Sequence, residues 1–267
     1  MITSIKNEKI KNVIKLLSSA KARRTQQAFV AEGERIVREI PTDRILECYV
    51  SEEFISKTDV EFDVGDDEKC LQRVLGTVSY EVVADDVFRK MCDTQNPQGI
   101  LCVVSMSSTE FDDFLKMRLE GPLRILTLEG IQDPGNMGTM IRTAEGAGFD
   151  MILADRNTVD IYNPKVTRST MGSMFRIPVI YTDDLEGALC ELKAKGVTLY
   201  AAHLNGTNEY DKEKYSERLA ILIGNEGNGL SDSITACADR LVRIPMQGKL
   251  ESLNAAVAAA LLMYEAR

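Results

Sequence analysis

The sequence predicts an α/β protein with a parallel-sheet domain in its C-terminal half and a smaller α/β domain before it. Three observations carry this expectation. Apolar runs at 123–128, 151–154, 198–202, 219–223 and 241–244 alternate with segments of helical spacing, a pattern that reads as a parallel sheet covered by helices on both faces. The run Leu219-Ala220-Ile221-Leu222-Ile223 is apolar throughout and stops at Gly224, as a strand buried on both faces should. Residues 105–121, SMSSTEFDDFLKMRLEG, turn polar and acidic, which suits an interdomain connection containing a short helix. The expected division is 1–106, a connection at 107–121, and 122–267.

Taken in order, Ile5, Ile10, Val13, Ile14 and Leu17 recur at near-helical spacing and predict a first helix over 5–20. Strand-like pieces follow at 45–50, 78–83 and 99–104. Beyond the connection, helices are expected at 136–147, 163–175, 183–195 and 249–265. The last is alanine-rich, with Leu250, Leu253, Val257, Leu261 and Tyr264 on one face, and its small residues would let another helix or chain approach closely. Internal repeats, heptads and low-complexity tracts are absent from the sequence.

Composition excludes several classes. With 267 residues, 44% hydrophobic and 27% charged, the chain can bury a sizeable core. No apolar run reaches the roughly 18 residues a membrane-spanning helix needs. The N-terminal MITSIKNEKIKNVIKLL alternates lysine with aliphatics, unlike a secretory signal, so a cytoplasmic location is expected. The six cysteines (48, 70, 92, 102, 190, 237) form no C-x-x-C pair and read as reduced structural thiols. The single histidine, His203, rules out a metal site of several imidazoles, and no metal is expected. Net charge is -9, yet residues 1–40 carry +5 against -14 for the rest. The basic stripe of Lys6, Lys9, Lys11, Lys15, Lys21, Arg23 and Arg24 is either the solvated face of a helix or a phosphate-contacting surface.

Chemistry concentrates in three segments at strand ends. In the first, 128–144, a strand ends, Asp133-Pro134-Gly135 turns, Asn136 is suited to capping the next helix, and Arg142 follows six residues on. In the second, Leu222-Ile223-Gly224-Asn225-Glu226-Gly227-Asn228-Gly229-Leu230-Ser231, three glycines surround one carboxylate behind a strand. Glycine costs backbone entropy, so such a loop implies special backbone angles or a close approach; its place marks a ligand crevice or an ordinary turn linking the strand to the next element, and the loop alone does not decide between them. In the third, 244–260, a strand gives way to a glycine loop and then a helix led by Ser252 and Asn254.

These segments resemble a family. Asn-x-Gly-x-x-x-Arg-Thr-Ala at 136–144, Gly-Asn-Glu-Gly-x-Gly-Leu-Ser at 224–231 and Ile-Pro-Met-x-Gly-x-x-x-Ser-Leu-Asn at 244–254 look like the three motifs of the TrmH (SpoU) branch of the SPOUT methyltransferases. The stretch 163–173, NPKVTRSTMGS, is similar to one these proteins carry between the first two motifs. The resemblance is good over 122–267; Phe29-Val-Ala-Glu-Gly33 and Asn96-Pro-Gln-Gly-Ile100 look more loosely like the ribosomal-protein-like RNA substrate-binding domain of many members. Ala255-Ala256 departs from the Val-Ser or Val-Ala pair often found there, a change of packing more than of chemistry.

The resemblance implies methyl transfer from S-adenosylmethionine to a ribose 2'-hydroxyl of RNA, by a homodimer whose C-terminal segment threads a deep trefoil knot, against the general avoidance of knots. By the same resemblance Gly224, Ile244, Met246 and Leu253 line the cofactor pocket, and Asn136, Arg142, Glu226, Ser252 and Asn254 match positions associated with catalysis. The loop glycines would let backbone approach the cofactor, with Glu226 facing the reaction centre or orienting an arginine. Arginine stays protonated, so Arg142 is expected to hold a phosphate and favour the developing alkoxide, the proton leaving through water or Ser252. Lys9, Lys21, Arg23 and Arg24 are the expected RNA contacts. Ribosomal RNA is the expected substrate; transfer RNA, or a non-catalytic RNA-binding protein on the same fold, are the alternatives. A dinucleotide site is disfavoured because no G-x-G-x-x-G links a strand to a helix with an acidic residue about twenty positions later.

Overall fold

The computed structural model describes residues 1–58, 74–118 and 120–267. They form two compact units, one of 1–107 with 162–175 and one of 108–161 with 176–267.

Among the described residues, the first unit is built on a four-stranded sheet: β1 (Ala28–Glu32), β2 (Ile45–Ser51), β3 (Tyr80–Val83) and β4 (Ile100–Ser105), in the order β1-β4-β2-β3. β4 runs antiparallel to both neighbours, and β2 and β3 are parallel. The expected first helix is two. Glu8–Ser18 is capped by Asn7, and Ala20–Gln26 by Ser19, whose hydroxyl accepts the Ala22 N–H. Ser19 is the break that periodicity alone does not see, because a capping serine interrupts without a glycine or proline. Ile10, Val13 and Leu16 are fully buried beneath β1 and β4, with Tyr49 and Phe88.

β1 is a strand that apolar patterning alone does not predict, although its residues belong to the Phe29–Gly33 stretch singled out above. The purpose of that stretch and of Asn96–Ile100 is visible in this unit. The Glu32 carboxylate accepts from the Asp93 N–H at 2.9 Å and from the Thr94 hydroxyl, and Gln98 Oε1 accepts the Glu34 N–H at 3.0 Å. Gly33 sits at φ 105°, where a Cβ would strike Gln98 Oε1 at 2.6 Å. Both motifs are thus the two sides of one internal latch.

The stretch 163–173 belongs to this first unit. Where the sequence predicts one helix over 163–175, Pro164–Ser169 ends and a 3-10 turn, Ser173–Phe175, follows. Met171 and Gly172 interrupt it at φ 52° and 92°. A side chain at 172 would collide with Glu39 Cγ at 2.4 Å, which accounts for the glycine. Phe29 lies 4.7 Å from the Tyr162 ring and 6.3 Å from Phe175, and Arg44 lies over Phe175 at 5.5 Å. Arg168 pairs with Asp93 at 2.8 Å.

In the second unit β5 (Leu123–Leu128), β6 (Met151–Asp155), β7 (Val179–Thr182), β8 (Thr198–Ala202), β9 (Asn208–Glu209), β10 (Arg218–Ile223) and β11 (Arg240–Arg243) make, among the described residues, one seven-stranded sheet in the order β7-β6-β5-β10-β8-β11-β9. Every neighbouring pair is parallel. β5 and β10 are the continuous apolar strands at the middle, with β10 buried from Leu219 to Ile223. Two strands are absent from the sequence expectation, both at edges: β7 is only four residues and β9 only two. β5 is followed by β6 and β7 on one side, while β8, β10 and β11 lie on the other, so strand order reverses beside β5. Open parallel sheets bind ligands outside the carboxyl ends of strands at such a switch.

Two helices differ from expectation in instructive ways. Pro134–Gly146 is capped by Asp133, whose carboxylate accepts the Asn136 N–H at 2.8 Å, so Asn136 is not the cap. Pro134 prefers the first helical position, which makes the residue before it the natural cap. The last helix is Ala255–Glu265, with Asn254 as its cap. Its buried residues are Ala256, Ala259, Leu262 and Met263, whereas Val257 and Tyr264 of the predicted face are 48% and 45% exposed. Among the described residues no helix is long and apolar enough to cross a membrane. Cys48, Cys92, Cys102, Cys190 and Cys237 are free thiols, and Cys70 lies outside the described residues.

Candidate active site

Four loops leave the carboxyl ends of β5, β8, β10 and β11; those after β8, β10 and β11 surround a cavity of 390 Å³. Gly224, Ile244, Met246 and Leu253 all line it, together with Ser252. The wall is largely apolar side chains and main chain, as a site for a heterocycle and an aliphatic tail requires. His203, just past the end of β8, lines the same cavity; its Nδ1 accepts the Asn205 N–H at 3.2 Å. Leu204 and Asn205 join it. Sequence reasoning missed these three, although the rule about carboxyl ends of strands points to them as soon as β8 is read.

The glycine loop folds on itself. Asn225 and Gly229 exchange two backbone hydrogen bonds, of 3.0 and 2.9 Å, and the Asn225 side chain accepts the Gly227 and Asn228 N–H groups. A Cβ on Gly224 would lie 2.1 Å from the Gly229 carbonyl carbon, and Gly229 has φ 70°. Gly224 and Gly229 are therefore required by the loop's own closure. What the closure achieves is to hold Glu226 outward on a short tether.

Glu226 reaches across to the first motif, in the loop after β5. Its Oε1 accepts from Asn136 Nδ2 at 3.0 Å and from the Asp133 N–H at 3.0 Å, and its Oε2 accepts from the Gln132 N–H at 3.1 Å. Asn136 Oδ1 in turn accepts from Asn254 Nδ2 at 2.9 Å, while Asn254 Oδ1 accepts the Ala256 and Val257 N–H groups. One residue from each motif is thus wired to the next, Glu226 to Asn136 to Asn254. Partial burial pushes the Glu226 carboxyl up, and the hydrogen bonds from Asn136, Gln132 and Asp133 outweigh it, so the group lies below its ordinary range. Glu226 is an anion whose two oxygens both receive donors. Among the described residues no arginine pairs with it.

Asn136, Glu226 and Asn254 border a second, open depression that shares Glu226, Leu253 and Ala255 with the first cavity. Ser252, which lines the first cavity, is exposed, with no hydrogen-bond partner for its hydroxyl among the described residues. Arg142 is not in this cluster. Six residues along a helix is about 120° around and roughly 9 Å along from Asn136, and Arg142 is exposed with no partner among the described residues. Of the expected RNA contacts, Lys21 and Arg24 are exposed, and Lys9 is paired with Glu81. Arg23 is a correction: it is 4% exposed and its Nη1 donates to the Leu16 and Leu17 carbonyls at 2.9 and 3.3 Å. It closes the end of the first helix and cannot meet RNA.

Residues 123–264 match the SpoU rRNA Methylase family and residues 7–102 the MRM3-like substrate binding domain. The chain is 35% identical, over 100% of its length and 98% of the relative's, to the 23S rRNA (guanosine(2553)-2'-O)-methyltransferase RlmP of Bacillus subtilis (strain 168). Among solved structures it resembles an AdoMet-bound rRNA methyltransferase from Sinorhizobium meliloti, with 27% identity, a TM-score of 0.81, and coverage of 100% of this chain and 96% of that one. An RNA 2'-O ribose methyltransferase is similar at 30% identity and a TM-score of 0.80, covering 99% and 97%. With this family matched over more than half of its length and RlmP 35% identical from end to end, the chain belongs to the SpoU rRNA Methylase family.

Proposed function

We propose that this protein methylates a ribose 2'-hydroxyl of ribosomal RNA using S-adenosylmethionine. The observation that carries the reading is the hydrogen-bonded chain Glu226–Asn136–Asn254 at the shared wall of two depressions, one lined by apolar side chains, one open. The first fits the cofactor: main chain at Gly224 and apolar Ile244, Met246 and Leu253 would hold it. When bound, S-adenosylmethionine supplies a methyl group activated by a positively charged sulfur. The similarity to RlmP supports ribosomal RNA and a guanosine as the target.

The chain's own residues must align the hydroxyl and take its proton. Glu226 is a poor acceptor because its oxygens already receive three donors and its affinity for a proton is depressed. It is a positioning residue that fixes Asn136 and the 132–133 turn. Ser252 Oγ, which no protein group occupies among the described residues, is free to pass the proton to water. Arg142, cationic and without a partner among the described residues, suits an RNA phosphate.

The protein works as a homodimer in this reading. Val257, Leu261 and Tyr264, turned away from the buried face of the last helix, support it, since an apolar stripe of this kind is normally covered. A knotted C-terminal segment fits the return of that helix from beyond β11 to pack against Pro134–Gly146. Transfer of labelled methyl from S-adenosylmethionine to unmodified total RNA and ribosomal subunits tests the reaction. Label at one 2'-position, abolished in Arg142→Ala with cofactor binding kept, is expected; no label on any RNA would defeat the reading.

A further inference from the structure

Beside the catalytic depression lies a third cavity, of 330 Å³, at the carboxyl ends of β5, β6 and β10. Gln132 belongs to both, so the two adjoin; the 225–230 loop divides the third from the cofactor cavity. Its lining is polar, with an excess of acceptors. Glu129 Oε2 takes the Ser231 N–H at 2.8 Å, and Asp155 Oδ1 takes the Gly130 N–H, the Thr158 N–H and the Thr158 hydroxyl. The second oxygen of each carboxylate has no partner among the described residues. Gln132 spends its Nε2 on the Asn157 and Gly130 carbonyls, leaving its Oε1 open. The side-chain amides of Asn157 and Asn228 are exposed and likewise without partners among the described residues.

We propose that this cavity reads the base of the nucleotide being methylated, and that its open acceptors are what select the guanine to which the similarity to RlmP points. This deepens the ribose-methylation reading and rests on it. Two carboxylates repel phosphate, so the cavity suits the base end of a nucleotide whose ribose lies in the adjoining depression. Guanine alone carries an imino and an amino donor side by side on its Watson–Crick edge. Adenine and cytosine pair one amino donor with an acceptor, and uracil flanks one imino donor with two acceptors. Against open oxygens of Glu129, Asp155 and Gln132, those bases would set acceptor against acceptor. The free amides of Asn157 and Asn228 supply the donor that the guanine O6 or N7 requires. Glu129, Asn157 and Asn228 are thus specificity-determining residues outside the three wired together for catalysis.

The test begins with the position labelled by the wild-type protein in unmodified ribosomal RNA. A guanosine is expected; transfer to any other nucleotide overturns the subsite while leaving the methyltransferase intact, and transfer to nothing sinks both. In a synthetic fragment around that position, inosine removes only the 2-amino group. Inosine should lower kcat/KM about tenfold or more, and Asn157→Ala and Glu129→Gln, neither of which lines the cofactor cavity, should do the same on the guanosine fragment with cofactor affinity unchanged. The deciding comparison is Glu129→Gln acting on the inosine fragment. A combined loss close to that of either change alone is expected, because both remove one interaction. Fully multiplicative losses, or equal rates on guanosine and inosine with the wild-type protein, would overturn the assignment.

Discussion

Glu226 shows how far a single residue's environment can depart from its apparent part in a motif. Surrounded by glycines at a strand end, it invites a role as base, yet three donors converge on it and hold its carboxyl below the ordinary value of 4.5. A carboxylate with a depressed folded value stabilises the fold above its unfolded value, and that contribution fades as pH falls through the folded one. Glu226→Gln should therefore lower Tm at neutral pH, because one amide end must face a donor. The gap between variant and wild type should narrow as pH drops below about 4. Melting curves across pH check this, and a gap constant down to acid would count against an ionised clamp. Arg23 makes the complementary case: a charge that looks available for RNA is buried on two carbonyls. Arg23→Ala should cost about 1–3 kcal/mol in denaturant unfolding, since buried acceptors are left without their donor. Lys21→Gln with Arg24→Gln should leave stability alone and flatten the salt dependence of RNA binding, by about 0.7–0.9 in log–log slope for each phosphate no longer neutralised.

At the scale of elements, the parallel strands were legible because β5 and β10 are almost uninterrupted apolar runs, a signal few loops imitate. The first two motifs were legible because each follows such a strand; the third follows the short, mixed β11 and is marked instead by its glycine loop and the alanine-rich helix behind it. What escaped were choices between near-equivalent local solutions. Asp133 and Asn136 are both capping residues three apart, and only the proline between them decides. The final helix carries apolar or small residues all round, so the sequence contains no contrast from which to pick the buried side; packing against Pro134–Gly146 chose Ala256, Ala259, Leu262 and Met263. Arg142 is close to Asn136 in sequence but is turned about a third of a circle away. The glycine loop is the element whose geometry is least forgiving. Gly224→Ala would drive a methyl group into the main chain at Gly229, and a loop that cannot flex without breaking its paired hydrogen bonds should lose about 1–3 kcal/mol. S-adenosylmethionine binding should weaken with it, whereas Gly227→Ala, facing only Asn225 Oδ1 at 3.5 Å, should bind nearly as wild type. Calorimetric titration of both variants separates the two, and equal affinities would contradict the self-closing loop.

At the scale of the molecule, the composition change read at 107–121 begins where the chain divides in space, at 107/108, while 162–175 groups with residues 1–107. Composition could not reveal this; the segment has the ordinary polar character of a helix and turn, and only its packing partners are distant in sequence. The consequence bears on any attempt to separate a catalytic piece. Removing residues 1–25 would strip Ile10, Val13 and Leu16 from the core of the first unit, so it would unfold that unit instead of testing charge. Removing 1–107 would leave Tyr162 and Phe175 without Phe29, Phe175 without Arg44, and Arg168 without Asp93. Each aromatic ring returned to water costs about 1.5–3 kcal/mol at full exposure, and Met171 with Gly172 already holds a backbone bend that the missing Glu39 helps to brace. A chain of 108–267 should accordingly be cut by protease first within 162–175 and should self-associate more than the full chain. Limited proteolysis with mass mapping and light scattering would report both. If the truncated chain resisted cleavage there and stayed as dispersed as the whole, the segment would have its support within the second unit, and the grouping would lose its physical meaning.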